Sequence, residues 1–196
     1  MRTLLVNPPL VPETPVFPPL GLCVLASALI DAKHEVQIFD LDLELQTRTR
    51  KAAEKALGKA LAEFRPQVVG VTSMYSNSLQ AARIIENVRK ECPSAATVAG
   101  GPHFGALGSQ SLSRIPELDY VLEGEAESGL IALLNALECG GRLSDVPSLW
   151  YREAGIVHKN QKGDLLNLQH APLVFPRIGG CLNIERYVAT IPPRMG

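Results

Sequence analysis

The stretch "PQVVGVTSMYSNSLQAARIIENVRKE" (residues 66–91) changes its hydrophobic period once, and that change decides the fold. Its first part, "PQVVGVTS", is a short apolar run rich in valine, the pattern of a strand buried on both faces. From Ser78 onward the spacing is helical. Leu79, Ala82, Ile84, Ile85 and Val88 fall on one stripe, while Arg83, Glu86, Arg89 and Lys90 face out. A buried strand followed by an amphipathic helix is the repeating half of a parallel sheet covered by helices.

Outward from this segment the alternation recurs. Further strands are read at "RTLLVN", "HEVQIFD", "ATVAGG" and "LDYVLEG", with helices over 20–32, 49–64 and 127–138 and a weaker one after Gly105. In the helix over 49–64, Ala53, Leu57, Ala60, Leu61 and Phe64 share one side, and its charges form a solvated face. These elements predict an α/β fold: a five-stranded, doubly wound parallel sheet with strand order 2-1-3-4-5. After "CGGR" the pattern shifts. "SLWYREAGIVHKN" reads as a β-hairpin turning at Glu-Ala-Gly, with Gly155 where a positive φ is needed. Beyond Gln161 periodicity fades, prolines and glycines are frequent, and an apolar "APLVFP" follows. The predicted organisation is a sheet domain over 1–142 and a hairpin with linker over 143–196.

Composition removes several function classes. With 19 Lys and Arg against 20 Asp and Glu the net charge is −1, so no basic field exists to hold a nucleic acid. No apolar run approaches the roughly 18 residues of a membrane helix, and "MRTLLVNPP" is too short in its apolar part for a signal peptide. Cys23, Cys92, Cys139 and Cys181 lie far apart in sequence, without the close pairs of zinc or redox motifs, and read as four separate thiols of a cytoplasmic protein.

In an open parallel sheet a ligand binds beyond the carboxyl ends of the strands, where the strand order reverses. After the first strand comes "NPPLVPETPVFPPLG", a stiff loop with six prolines that is long enough to lie over a ligand or partner. It contains neither Gly-x-Gly-x-x-Gly nor a phosphate loop, which weighs against dinucleotides and NTPase chemistry. The third strand ends in hydroxyls at Thr72, Ser73, Ser76 and Ser78, which suit either a buried polar ligand edge or, through Ser76 or Asn77, a helix cap. The fourth ends in Gly100 and Gly101, where a missing Cβ lets a bulky ligand press on the backbone. The fifth ends in "EGEAESG". Together these ends describe a long ligand whose tail is buried among hydroxyls and glycines.

The segments "LLVNPP", "PPLGLCVLASAL", "HEVQIFD", "VVGVTSMYSNSLQAARIIENVRK", "VAGGPH", "LDYVLEGEAE" and "SLWYREAGIVHKN", in this order, resemble the N-terminal cobalamin-binding domain of cobalamin-dependent radical SAM enzymes. The resemblance covers nearly the whole chain and implies a Rossmann-like, flavodoxin-like fold. It places Thr72, Ser73, Met74 and Ser76 along the nucleotide tail of cobalamin, Gly100 and Gly101, continued by Pro102 and His103, against it, and Gly124 and Glu125 at the next wall. Asn7, Pro8 and Pro9 would begin the loop facing the corrin.

Related cobalamin domains carry an Asp-x-His-x-x-Gly loop after the first strand, whose histidine binds cobalt. Here "NPPLVP" holds no histidine, so the resemblance implies base-off cobalamin without a histidine ligand. His103 follows the wrong strand for that task, and His34, His158 and His170 read as surface or structural. The family's 4Fe-4S cluster and S-adenosylmethionine bind at a Cys-x-x-x-Cys-x-x-Cys motif that starts just after a segment like "VATIPPRMG". That motif is absent here, and Cys181 stands alone, so a radical SAM domain of the full-length protein is the expected partner of this fragment. The implied activity is methyl transfer. Ring contraction, cyclisation of a Mg-porphyrin ester, and a non-catalytic carrier, sensor or vestigial module are the alternatives.

Overall fold

In β1 (Arg2–Asn7), Leu4 and Val6 point to one side of the sheet and Leu5 to the other, and all three are buried. A strand with apolar residues on both faces must be covered on both, and the rest of the chain supplies the two layers. The computed structural model describes residues 1–10, 16–163 and 178–190. Val11 to Pro15 of the proline-rich loop, His170, the "APLVFP" segment and the end of "VATIPPRMG" lie outside the described residues.

β2 (Glu35–Asp40), β3 (Val68–Thr72), β4 (Ala96–Gly100) and β5 (Tyr120–Leu122) join β1 in parallel in the order β2-β1-β3-β4-β5. This is the expected α/β sheet and its expected order. The hairpin is not a separate appendage. β6 (Leu149–Glu153) pairs antiparallel with β5, and β7 (Ile156–Lys159) with β6, so one seven-stranded sheet results. The cause lies in β5, whose outer edge would otherwise be unpaired, and in Leu149 and Tyr151, which are buried in the core on the same face as Leu122. The turn closes through Ala154 and Gly155, both with positive φ (47° and 81°), the geometry that matches strand twist in a two-residue hairpin.

One face is covered by α1 (Leu20–Asp31) and α7 (Glu127–Cys139), with Cys181, Leu182 and Tyr187 packed beside them. The other is covered by α3 (Arg50–Phe64), α4 (Ser78–Glu91), α5 (Gly101–Leu107) and α6 (Ser109–Arg114). Thr49 caps α3 by accepting from the Ala52 N–H. α2 (Leu41–Thr47) follows β2 directly, with Asp40 accepting from the Asp42 N–H, and α8 (Glu185–Val188) closes the described chain. Among the described residues no helix is long and apolar enough to cross a membrane.

Three local expectations change. Leu79 is exposed, and Ala81 takes its place in the core stripe of α4. Arg89 is half-buried and held by partners instead of standing free in solvent. Its guanidinium donates to the Ala95 and Glu117 carbonyls and pairs with Asp119 at 2.6 Å, tying α4 to the start of β5. The helix expected after Gly105 starts earlier, at Gly101 with Pro102 in its first turn, and breaks at Gly108, whose φ of +37° and lack of side chain let Trp150 lie against it.

Candidate functional site

The strand order reverses between β1 and β3, so Asn7 and Thr72 stand at the switch point of the sheet. On the α1/α7 face below this point is a small apolar pocket of about 50 Å³, lined by Leu5, Leu22, Leu25, Gly70, Thr72, Val98, Gly100, Leu122, Ala126 and Leu130. The pairing register explains its shape. Leu5, Gly70 and Val98 are cross-strand neighbours, and one step further along Thr72 pairs with Gly100. Two of these positions contribute only backbone, which gives a floor that a flat group can approach.

The two floor glycines have different reasons to be glycine. At Gly70 a Cβ would meet Leu5 Cδ2 at 2.8 Å, so a side chain there requires the buried Leu5 to shift. At Gly100 the nearest protein atom to a Cβ is the Leu122 carbonyl at 3.8 Å and the backbone is extended, so nothing in the protein itself excludes a side chain. A side chain there would occupy the pocket. Gly101 differs again, having φ +87° and a virtual Cβ only 2.8 Å from the Ser73 carbonyl.

Of the expected site residues, Thr72, Gly100 and Gly101 come together at this pocket. Ser73 is buried, but its hydroxyl donates to the Met74 carbonyl at 2.8 Å rather than into the pocket. Met74 and Ser76 are exposed, Ser76 on the short 3-10 turn Tyr75–Asn77. Pro102 is exposed at the start of α5. His103 donates its backbone N–H to the Ser73 carbonyl and sets its ring between Tyr75 and Phe104, with centroids 5.9 and 5.5 Å away. Gly124, with φ +76°, and Glu125 are exposed on the loop after β5.

The loop after β1 is tethered at three of the four residues from Asn7 to Leu10. Asn7 Nδ2 donates to Asp40 Oδ1 at 2.9 Å, the Pro8 carbonyl accepts from Asn77, and the Leu10 N–H donates to Asp42. Pro9 is half-buried between these tethers. Asp40 also accepts from the Tyr187 hydroxyl at 2.7 Å, which links α8 to the rim. Burial pushes the Asp40 carboxyl above its ordinary range, against the opposing pull of its hydrogen bonds from Asn7 and Tyr187. Burial, then the Asp40 charge, pushes the Tyr187 hydroxyl up as well.

Just after β5, Glu123 accepts from Trp150 Nε1 at 3.1 Å and pairs with Lys159 and Lys162, each at 3.0 Å. The hydrogen bonds from the two lysines bring its carboxyl down to about 2.

Exposed large apolar side chains concentrate at this end of the sheet. Of eight among the described residues, Leu10, Phe17, Leu20, Met74, Tyr75 and Leu79 flank the switch point, and Tyr75 is 86% exposed. Apolar side chains grouped in this way are a feature of surfaces that meet a ligand or another protein. Among the described residues no group of three or more His, Cys, Asp or Glu side chains is placed to hold a metal ion. The residues that pattern reading alone does not find are Gly70, the α1 and α7 leucines, and Asn77. Of these only Gly70 carries a signal, being a glycine inside a strand.

Residues 14–134 match the model of the B12 binding domain. The chain is 31% identical over 160 residues to an uncharacterised methyltransferase of Pyrococcus horikoshii, covering 80% of this chain and 33% of that protein. It is 27% identical over 164 residues to the anaerobic magnesium-protoporphyrin IX monomethyl ester cyclase of a Synechocystis species, covering 78% and 31%. The radical S-adenosylmethionine methyltransferase TsrM of Kitasatospora setae, solved with cobalamin and a 4Fe-4S cluster bound, superposes with a TM-score of 0.70 at 25% identity, covering 82% of this chain and 30% of that one. The chain thus spans about a third of the length of these relatives.

Proposed function

Because the chain belongs to the B12 binding domain family and is related to cobalamin-dependent radical SAM methyltransferases, we propose that it is the cobalamin module of such an enzyme. The residues that would hold the nucleotide tail are those at the pocket beside α1 and α7: the bare backbone of Gly70 and Gly100, and Thr72, which brings a hydroxyl. Asn7, Pro8 and Pro9 on one side, and Met74, Ser76, Pro102, His103, Gly124 and Glu125 on the others, border the exposed part of the cofactor. When bound, cobalamin supplies a cobalt centre able to accept a methyl group from S-adenosylmethionine and pass it on. This chain's residues bind and orient the cofactor; the 4Fe-4S cluster and S-adenosylmethionine belong to a radical SAM domain outside this sequence. The apolar rim around Phe17, Met74, Tyr75 and Leu79 is the side that such a domain would face.

The observation that carries this reading is Gly100. A position where the protein has room for a side chain, and where one would fill the pocket, fits a residue kept bare for a ligand. Cobalamin held here would be base-off and without a histidine ligand, a reading supported by the lack of histidine in the loop after β1 and by the His103 ring lying between two aromatic neighbours in α5. The relationship to the Synechocystis cyclase supports a second reading, in which the same module serves cyclisation instead of methyl transfer.

The test is to mix the purified chain with hydroxocobalamin, desalt it and record the visible spectrum. A stoichiometric base-off spectrum that persists in His103→Ala is the expected result. Absence of cobalamin from the protein peak removes the module reading, and loss of base-off character in the variant makes His103 a ligand.

A further inference from the structure

Asn77 is 2% exposed, and its carboxamide reaches two loops that leave the sheet on opposite sides of the switch point. Its Nδ2 donates to the Pro8 carbonyl at 3.2 Å. Its Oδ1 accepts from the Met74 N–H at 2.8 Å and lies 3.4 Å from the Ser73 hydroxyl. A carbonyl only accepts and an amide N–H only donates, so this orientation of the carboxamide is the one that satisfies both loops. Ser73 carries the tie to a third strand end. Its N–H donates to the Gly100 carbonyl at 3.0 Å, and its own carbonyl accepts from the His103 N–H at 3.2 Å.

Helix capping accounts for only one of these bonds: by accepting from the Met74 N–H, Asn77 closes the start of the 3-10 turn Tyr75–Asn77, which leaves its bond to the Pro8 carbonyl unexplained. Asn77 stands at the N-cap of α4, yet its side chain makes no capping bond there. A buried carboxamide costs free energy unless its donors and acceptor are used. Here they are used on the segments after β1 and β3, with the segment after β4 joined through Ser73.

We propose that Asn77 is a positioning residue for cobalamin. It holds the loops after β1 and β3 as one body across the pocket mouth, so that cofactor affinity depends on a side chain already committed to the two loops. This rests on the cobalamin reading above. Asp40 holds Asn7 independently, so the loop after β1 stays anchored at the sheet when Asn77 is changed, while the bond from the Leu10 N–H to Asp42 lies beyond Pro8 and depends on the course that Asn77 gives the loop there.

The experiment compares Asn77→Ala and Asn77→Asp with the unaltered chain by amide hydrogen exchange, thermal unfolding and spectral titration with hydroxocobalamin. The alanine removes all three contacts. The aspartate keeps size and the acceptor for Met74 but sets an oxygen where the Pro8 carbonyl needs a donor. In Asn77→Ala the amides of both Leu10 and Met74 should exchange about tenfold faster while those of Ile85 and Val98 are unchanged; in Asn77→Asp the loosening is confined to Leu10. Both variants should bind hydroxocobalamin about tenfold more weakly or worse. Unaltered affinity with loosened loops overturns the proposal, as does faster exchange in the β3 loop alone. Should the alanine variant not fold, the aspartate decides. If the unaltered chain binds no cobalamin, the reading of the module fails, while the exchange measurements still decide whether Asn77 unites the loops.

Discussion

Gly100 and Gly101 are neighbours, yet a methyl group added to each meets different surroundings. At Gly101 it would stand 2.8 Å from the Ser73 carbonyl in a backbone with φ +87°. Gly101→Ala should therefore cost about 1–3 kcal/mol and lower the thermal midpoint by several degrees, measured by calorimetry without cofactor. Gly100→Val introduces a β-branched side chain into extended backbone, and its Cβ meets no protein atom nearer than the Leu122 carbonyl at 3.8 Å. It should leave the midpoint near that of the unaltered chain and abolish cobalamin retention on desalting. A large drop in stability for Gly100→Val would mean that the glycine serves the fold and not a ligand.

The junction between β5 and the hairpin depends on charge, because Glu123 is clamped there by two lysines. Glu123 has its carboxyl lowered to about 2 by Lys159 and Lys162 from an ordinary value of 4.5. A carboxyl with a depressed folded-state value contributes stability that is fully present above the unfolded value and is lost as the pH falls toward the folded one. The chain should thus lose stability between about pH 4.5 and 2, and Glu123→Gln should flatten that part of the pH profile, read from denaturation midpoints at stepped pH.

The hairpin also shows where pattern reading stops. Alternation and the Ala-Gly turn make β6 and β7 legible in sequence, but their pairing to β5 depends on a nonlocal edge that no local signal carries. The same holds at α2, whose "LDLELQT" is only seven residues long and spaces its leucines two apart, so helical period has no room to emerge. Leu79 falls on the stripe by spacing yet is exposed, because the buried stripe of α4 begins only at Ala81. Of the site, the strand-end glycines and Thr72 are legible as types at positions. Asn77 is not, because its partners Pro8 and Met74 are 69 and 3 residues away and only the switch point brings them together.

Across the whole molecule, Cys23 and Cys181 lie in the core that covers the α1/α7 face, and Cys139 lies on the surface. Burial, then the neighbouring Cys181 and Asp40, pushes the Cys23 thiol up to about 11. Near pH 8 that leaves roughly one thiolate in a thousand. Iodoacetamide should therefore modify Cys139 first and reach Cys23 and Cys181 only when the core opens, as peptide mass spectrometry would show. Early labelling of Cys181 would mean that the segment ending in α8 detaches from the sheet in solution.

The antiparallel end of the sheet has a kinetic consequence. Pairing β1 with β3, or β3 with β4, brings together residues tens of positions apart, whereas Glu153 meets Ile156 across a two-residue turn. Such a hairpin closes in about 1–10 μs, far ahead of the nonlocal parallel pairs. It has no surface to cover until β5 is in place, so its docking belongs after the rate-limiting step of folding. Trp150→Phe, which removes the bond to Glu123, should steepen escape from the native state, raising the unfolding limb of a chevron plot and leaving the refolding limb where it was. The lifetime of the folded chain is then governed by its last two strands, and the speed of its assembly by the first five.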